Sequence, residues 1–280
     1  MSDDVERIAG MKDPFQLLRL ATERLADAQR DVTELSRLRK RVIQDLHSQG
    51  MSYAQIAEAA GLSRGRIHQI RHQGPAPEGA FLGTGFVRIV TPLKRDVIKG
   101  RPVVAMEDVA ASKRLEDLAR SYGLDVEQEH VPLTGEIDLN RPGLIVICGP
   151  RLSQTMHQLY EHDPVLTWEQ TSAGAWALRD TATGKLYISG SDRQPPESDD
   201  AAYLGRLPRP DGKGWVIAFT GIHPQGTLGV VQLLTSELPS LWEQLKDNNF
   251  SVVVGVKYDP HDHEPVEVEQ LTPLYRHDKV

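Results

Sequence analysis

The 280-residue sequence holds a single cysteine, Cys148, so no internal disulfide forms. The apolar run around it, GLIVICG, marks the thiol as a small buried hydrophobe. No stretch of about 18 apolar residues occurs, which argues against a membrane-spanning helix. The acidic start, MSDDVERIAG, lacks the basic and then apolar pattern of a signal peptide, so the expected location is cytoplasmic, with no membrane partner. Catalytic signatures are missing too: no G-x-S-x-G elbow on a strand-to-helix turn, no H-E-x-x-H helix, no C-x-x-C pair, and no phosphate loop or G-x-G-x-x-G after a strand. No catalytic residue, metal site or cofactor is therefore assigned, and enzyme activity is not expected.

Length predicts two domains. Hydrophobic residues at 39% and charged residues at 25% are those of a folding chain rather than a disordered or fibrous one. The net charge of −7 is unevenly spread. Residues 35–73 carry seven Arg or Lys against Asp45 and Glu58, a local +5, which leaves −12 for the rest. Screening over about 8–10 Å hides the distant acidic residues, so that basic segment can still attract phosphates.

From Pro14 to Leu46 there is no glycine and no further proline, and apolar residues recur at helical spacing, which predicts a long helix over residues 14–46. Leu18, Leu25 and Val32 form one heptad seam, broken at Arg39, and Ala21, Ala28, Leu35 and Val42 a second. These seams suit either a dimerising coiled coil or a helix packed on its own chain. Gly50 ends the helix. Ser52 and Gln55 then have the spacing of a capping box. Ile56, Ala57 and Ala60 make the inner face of a second helix, Gly61 the turn and Leu62 the corner, and Ser63 caps a third helix with Ile67 and Ile70 inside.

Over residues 35–72, which include the string RLRKRVIQDLHSQGMSYAQIAEAAGLSRGRIHQIRH, the sequence resembles the helix-turn-helix of sigma-factor region four and of related bacterial repressors. The resemblance implies a helix-turn-helix over 52–72 whose last helix, 63–72, enters the major groove of double-stranded DNA. Ser63, Arg64, Arg66, His68 and Gln69 would then face the bases. Arg suits guanine and Gln adenine, while Arg71, Arg37, Arg39 and Lys40 suit phosphates, with Ser52 and Tyr53 at the start of the preceding helix.

The Pro- and Gly-rich residues 74–82 read as a linker between a helical domain, 1–73, and a larger one, 83–280. In the larger one, strands are expected at 86–90, 102–106, 126–131, 144–148, 175–178, 186–188, 215–219, 251–258 and 266–271, and helices at 110–122, 153–161 and 227–247. The fold class is α/β and multidomain: an N-terminal all-α helix-turn-helix with a long heptad helix, then a C-terminal mixed α/β sheet domain. Two strands run through glycine loops into helices, which is where α/β sheets bind ligands. Free backbone N–H groups there would favour an anion. Candidate ligand residues are Gly149, Arg151, Thr220, Gly221, His223, Gln225, Gly226 and Thr227. A further strand end, residues 105–108, brings Glu107 and Asp108, which could meet a ribose, an amine or a metal. Residues 259–264 hold metal-binding residue types but read as a hairpin turn, and residues 193–200 as a mobile acidic loop.

These readings point to a sequence-specific DNA-binding transcriptional regulator, a homodimer, whose larger domain senses a small anionic metabolite or nucleotide or mediates assembly. Two alternatives stay open: a DNA-tethered enzyme acting on a nucleotide or sugar, and a ligand-free assembly module.

Overall fold

A computed structural model describes residues 3–73 and 75–277. The chain divides into two compact units, Met1–Ala80 and Phe81–Val280. Gly74, where the expected linker begins, lies outside the described residues, as do residues 1, 2 and 278–280 of the expected domains.

The first unit is helical: α1 (Asp3–Ala9), α2 (Pro14–Ser48), α3 (Tyr53–Ala59) and α4 (Arg64–Gln73). Helix α2 starts on Asp13, whose carboxylate accepts the Phe15 N–H at 3.0 Å, with Pro14 in the first turn where its missing N–H costs nothing. It runs unbroken for 35 residues. Ile43 of α2, Ile56 and Ala57 of α3, and Ile67 and Ile70 of α4 are buried together, with Leu46, Met51, Tyr53 and Leu62 at their margin. Farther along α2, Leu18, Leu25, Val32 and Leu35 are 60–65% exposed and Val42 is 44% exposed, so most of the heptad stripe lies bare. Ala21 and Ala28 are half-buried.

The second unit contains β1 (Phe86–Pro92), β2 (Lys94–Arg95), β3 (Pro102–Val103), α5 (Met106–Ser121), β4 (Asp125–Val131), β5 (Leu144–Ile147), α6 (Gln154–Tyr160), β6 (Leu166–Gln170), β7 (Trp176–Asp180), β8 (Leu186–Ile188), β9 (Asp199–Pro208), β10 (Trp215–Gly221), α7 (Pro224–Leu245), β11 (Asn249–Tyr258), β12 (Pro265–Gln270) and β13 (Tyr275–His277). The main sheet has the order β12-β11-β9-β10-β5-β1-β4, with β13 also paired to β11. Its β10-β5-β1-β4 half is parallel, and β9, β11, β12 and β13 are joined antiparallel. Helices α5 and α7 pack together on one face. On the other lie α6 and the small antiparallel sheet β6-β7-β8, whose Met156, Leu159, Leu166 and Leu178 join Val146, Tyr203 and Ala218 in one buried cluster.

This is the mixed α/β sheet domain expected after a helix-turn-helix. Three expectations need correction. The strand expected at 102–106 is only two residues of a short hairpin, because Met106 already opens α5. Residues 193–200 are not loop throughout, since Asp199 and Asp200 begin β9. Strands β2, β6, β9 and β13 were not anticipated. Cys148 is buried as expected, and burial pushes its thiol up to about 12.

Candidate nucleic-acid interface and ligand cleft

The α3–α4 pair is built by short-range chemistry. Ser52 Oγ accepts the Gln55 N–H at 3.3 Å while Gln55 Oε1 accepts the Ser52 N–H at 2.9 Å, closing the expected capping box. Gly61 takes φ +64°, a left-handed conformation open to glycine, and the Leu62 N–H returns to the Ala57 carbonyl at 2.8 Å. Residues 61–65 do carry the letters G-x-S-x-G, but between two helices rather than after a strand. Ser63 works there as a cap, its Oγ accepting the Arg66 N–H at 3.1 Å.

Because Ile67 and Ile70 point inward, Ser63, Arg64, Arg66, His68 and Gln69 are left exposed on the outer face of α4. Arg66 donates to Gln69 Oε1 at 2.5 Å, and the His68 and His72 rings lie 4.3 Å apart. Arg71 is half-buried: its guanidinium stacks on Tyr53 at 3.9 Å, and the Tyr53 ring also stacks with His47 at 3.9 Å. Arg39 is exposed and Lys40 half-buried. Arg37 corrects the expectation of a phosphate contact. It is 2% exposed, donates from Nε to the Ala76 carbonyl at 3.0 Å and pairs with Glu34, so it ties α2 to the segment following α4. Spacing alone did not reveal this, since Ala76 is 39 residues away.

Residues 23–74 match Sigma-70, region 4. The region 4 match spans the C-terminal part of α2 together with α3 and α4, and identifies a helix-turn-helix DNA-binding region. It does not extend into the second unit. No curated protein and no solved structure gave a significant match to the chain.

In the second unit, β1 has β4 on one side and β5 on the other, so the chain leaves β1 for β4 and then crosses back over β1 to β5, reversing direction. Open α/β sheets form a crevice at the carboxyl ends of their strands at such a point. A cavity of about 30 Å³ lies there, lined by Pro92 at the end of β1, Ile147 at the end of β5 and Gly149 beyond it, and Thr220 and Gly221 at the end of β10. Arg151, His223 and Thr227 also line it, so six of the eight expected ligand residues meet in one place. Gln225 and Gly226 stand outside this lining. Gln225 pairs with His263 at 3.2 Å.

The loop before α7 is not the free anion cradle that was expected. Asp200, fully enclosed, already accepts the His223 and Gly226 N–H groups at 2.9 Å each, and the Ala201 N–H at 2.9 Å. The Gly221 N–H goes to Thr227 Oγ1 at 3.0 Å. Glycine at 221 and 226 leaves room for this carboxyl: a Cβ at either would come within 2.8 Å of Asp200 Oδ2. Burial pushes Asp200 up to about 7 against the opposing pull of these backbone donors. The His223 ring turns away to Asp192 at 3.0 Å.

Other residues furnish the cavity. Lys94 donates to the buried Asp108 at 2.8 Å; burial raises the Asp108 carboxyl and Lys94 opposes that rise. Of the two carboxylates at this strand end, which could meet a ribose, an amine or a metal, Asp108 is thus already paired within the chain. Trp168 and Trp176, from β6 and β7, form another wall, their rings edge to face at 6.3 Å. The 259–264 segment is the turn joining β11 to β12, its His263 facing Glu107 at 3.2 Å. Among the described residues no helix is long and apolar enough to cross a membrane.

Proposed function

We propose that this chain is a sequence-specific transcriptional regulator whose helix α4 lies in the major groove, with Ser63, Arg64, Arg66, His68 and Gln69 toward base edges and Arg39, Lys40 and Arg71 toward phosphates. The carrying observation is the outward row of cationic and amide side chains on a helix whose inner face is held by Ile67 and Ile70. The bare stripe Leu18, Leu25, Val32 on α2 supports pairing of two copies. The cleft beside β1 and β5 supports a sensing role for the second unit, for a small anionic ligand.

The test is binding of the purified chain to duplex DNA of its own promoter across a salt series. Affinity should fall steeply with salt, and replacing Arg64 and Gln69 by Ala should relax base preference by about 1–3 kcal/mol per contact. Affinity indifferent to salt would refute DNA binding. The enzyme alternative would draw on His223, whose ring is held by Asp192 at 3.0 Å.

A further inference from the structure

The cleft is sharply graded in size, and that gradation speaks to its occupant. Its inner part, about 30 Å³, has room for roughly two waters, or for the oxygens of one anionic group, but not for a ring. Pro150, Arg151, Trp168 and Trp176 also line an adjoining outer hollow of about 740 Å³ that is wide open to solvent. The outer hollow adds Gln154, His157 and Gln170, groups able to read the polar edge of a planar ring, and Glu169, whose carboxylate is held by Arg179 at 2.7 Å.

The charges are graded likewise. Lys94 lies at the inner end, held by Asp108. Arg151, exposed and with no hydrogen bond or ion pair among the described residues, stands where the two spaces meet. The backbone donors of His223 and Gly226 are spoken for by Asp200, so an incoming anion must rely on these two side chains rather than on the start of α7. Two indoles flank the junction, and indole faces favour stacking of a second flat ring.

We propose that the cleft takes a nucleoside monophosphate, its phosphate set between Arg151 and Lys94 and its base against Trp168 and Trp176 in the outer hollow. This rests on the reading of the cleft as a ligand site. Arg151 supplies a fork that matches phosphate geometry. The flat base accounts for a tryptophan wall that a bare anion does not need.

The experiment titrates the full chain with AMP, GMP, adenosine, inorganic phosphate and indole-3-acetate, following tryptophan fluorescence and thermal shift. A monophosphate should quench fluorescence and raise the melting temperature, binding at least tenfold more tightly than phosphate, adenosine or the aromatic carboxylate. Arg151→Ala should weaken the nucleotide at least tenfold. Trp176→Ala should bring nucleotide affinity down to that of phosphate, and Trp176→Phe should restore most of the loss; unchanged circular dichroism checks that each variant is folded. Equal affinity for phosphate and nucleotide, or tighter binding of indole-3-acetate, overturns the nucleotide while leaving the cleft as an anion site. No response to any of the five compounds overturns the ligand site as well.

Discussion

Asp200 occupies the place that the glycine loop reserves for an anion, and its protonation links that loop to pH. Its folded-state value, about 7, lies above the ordinary 3.8 because burial penalises the charge. A group raised in this way binds more protons folded than unfolded. The stability it contributes is complete below about pH 4 and is lost as the pH climbs through 7. The melting temperature should therefore fall between about pH 5 and pH 8, and fall less in Asp200→Asn, where nothing ionises. Melting curves that shift in parallel for the two proteins would show that this carboxyl carries no such linkage. Arg37 is instructive at the same scale. Counted as surface charge it belongs to the basic segment, yet its long side chain is buried and its head is fixed by Ala76 and Glu34.

At the scale of elements, α2 presents large apolar side chains that its own unit does not cover. Replacing Leu25 and Val32 by Glu should leave the helix formed, because both side chains are exposed, and, under the proposal that two copies pair through α2, should yield single chains. Sedimentation checks this, and an unchanged mass would remove the helix from assembly. The helix itself was legible in the sequence because nothing in it opposes the period, and α3 and α4 were legible because Ser52, Gln55, Gly61 and Ser63 punctuate them. Strand β9 was harder to read. It lies inside the sheet with both faces covered, so it shows no alternation, and it carries Arg206, a residue that reads as solvent-facing. In the structure Arg206 is fully buried, donating to the Lys246 and Phe81 carbonyls at 2.7 and 2.8 Å and lying over the Phe81 and Trp215 rings. The candidate site was half legible for a related reason. Glycine loops mark strand ends locally, whereas Trp168, Trp176 and Asp200 come from other strands and carry no local signal of convergence.

At the scale of the whole molecule, two cores of unequal size share one chain. The first unit closes around Ile43, Ile56, Ala57, Ile67 and Ile70, and the second around an eight-stranded sheet. Smaller cores bury less apolar surface per residue, so the first unit should unfold at lower denaturant, and the chain as a whole should depart from two-state behaviour. All four tryptophans, at 168, 176, 215 and 242, belong to the second unit, and the 35-residue α2 belongs to the first. Far-ultraviolet circular dichroism should accordingly lose signal before tryptophan fluorescence changes, and coincident curves would contradict this. The unbroken course of α2 also makes it a ruler. At about 1.5 Å per residue it spans about 52 Å, and the recognition helix sits near its far end. Two copies aligned in opposite directions along that rod would hold their DNA-reading faces about 15 base pairs apart at about 3.4 Å per base pair, whereas copies aligned in the same direction would bring them side by side. Should two copies pair through α2, the spacing between the two DNA segments they contact would record the direction in which the rods lie.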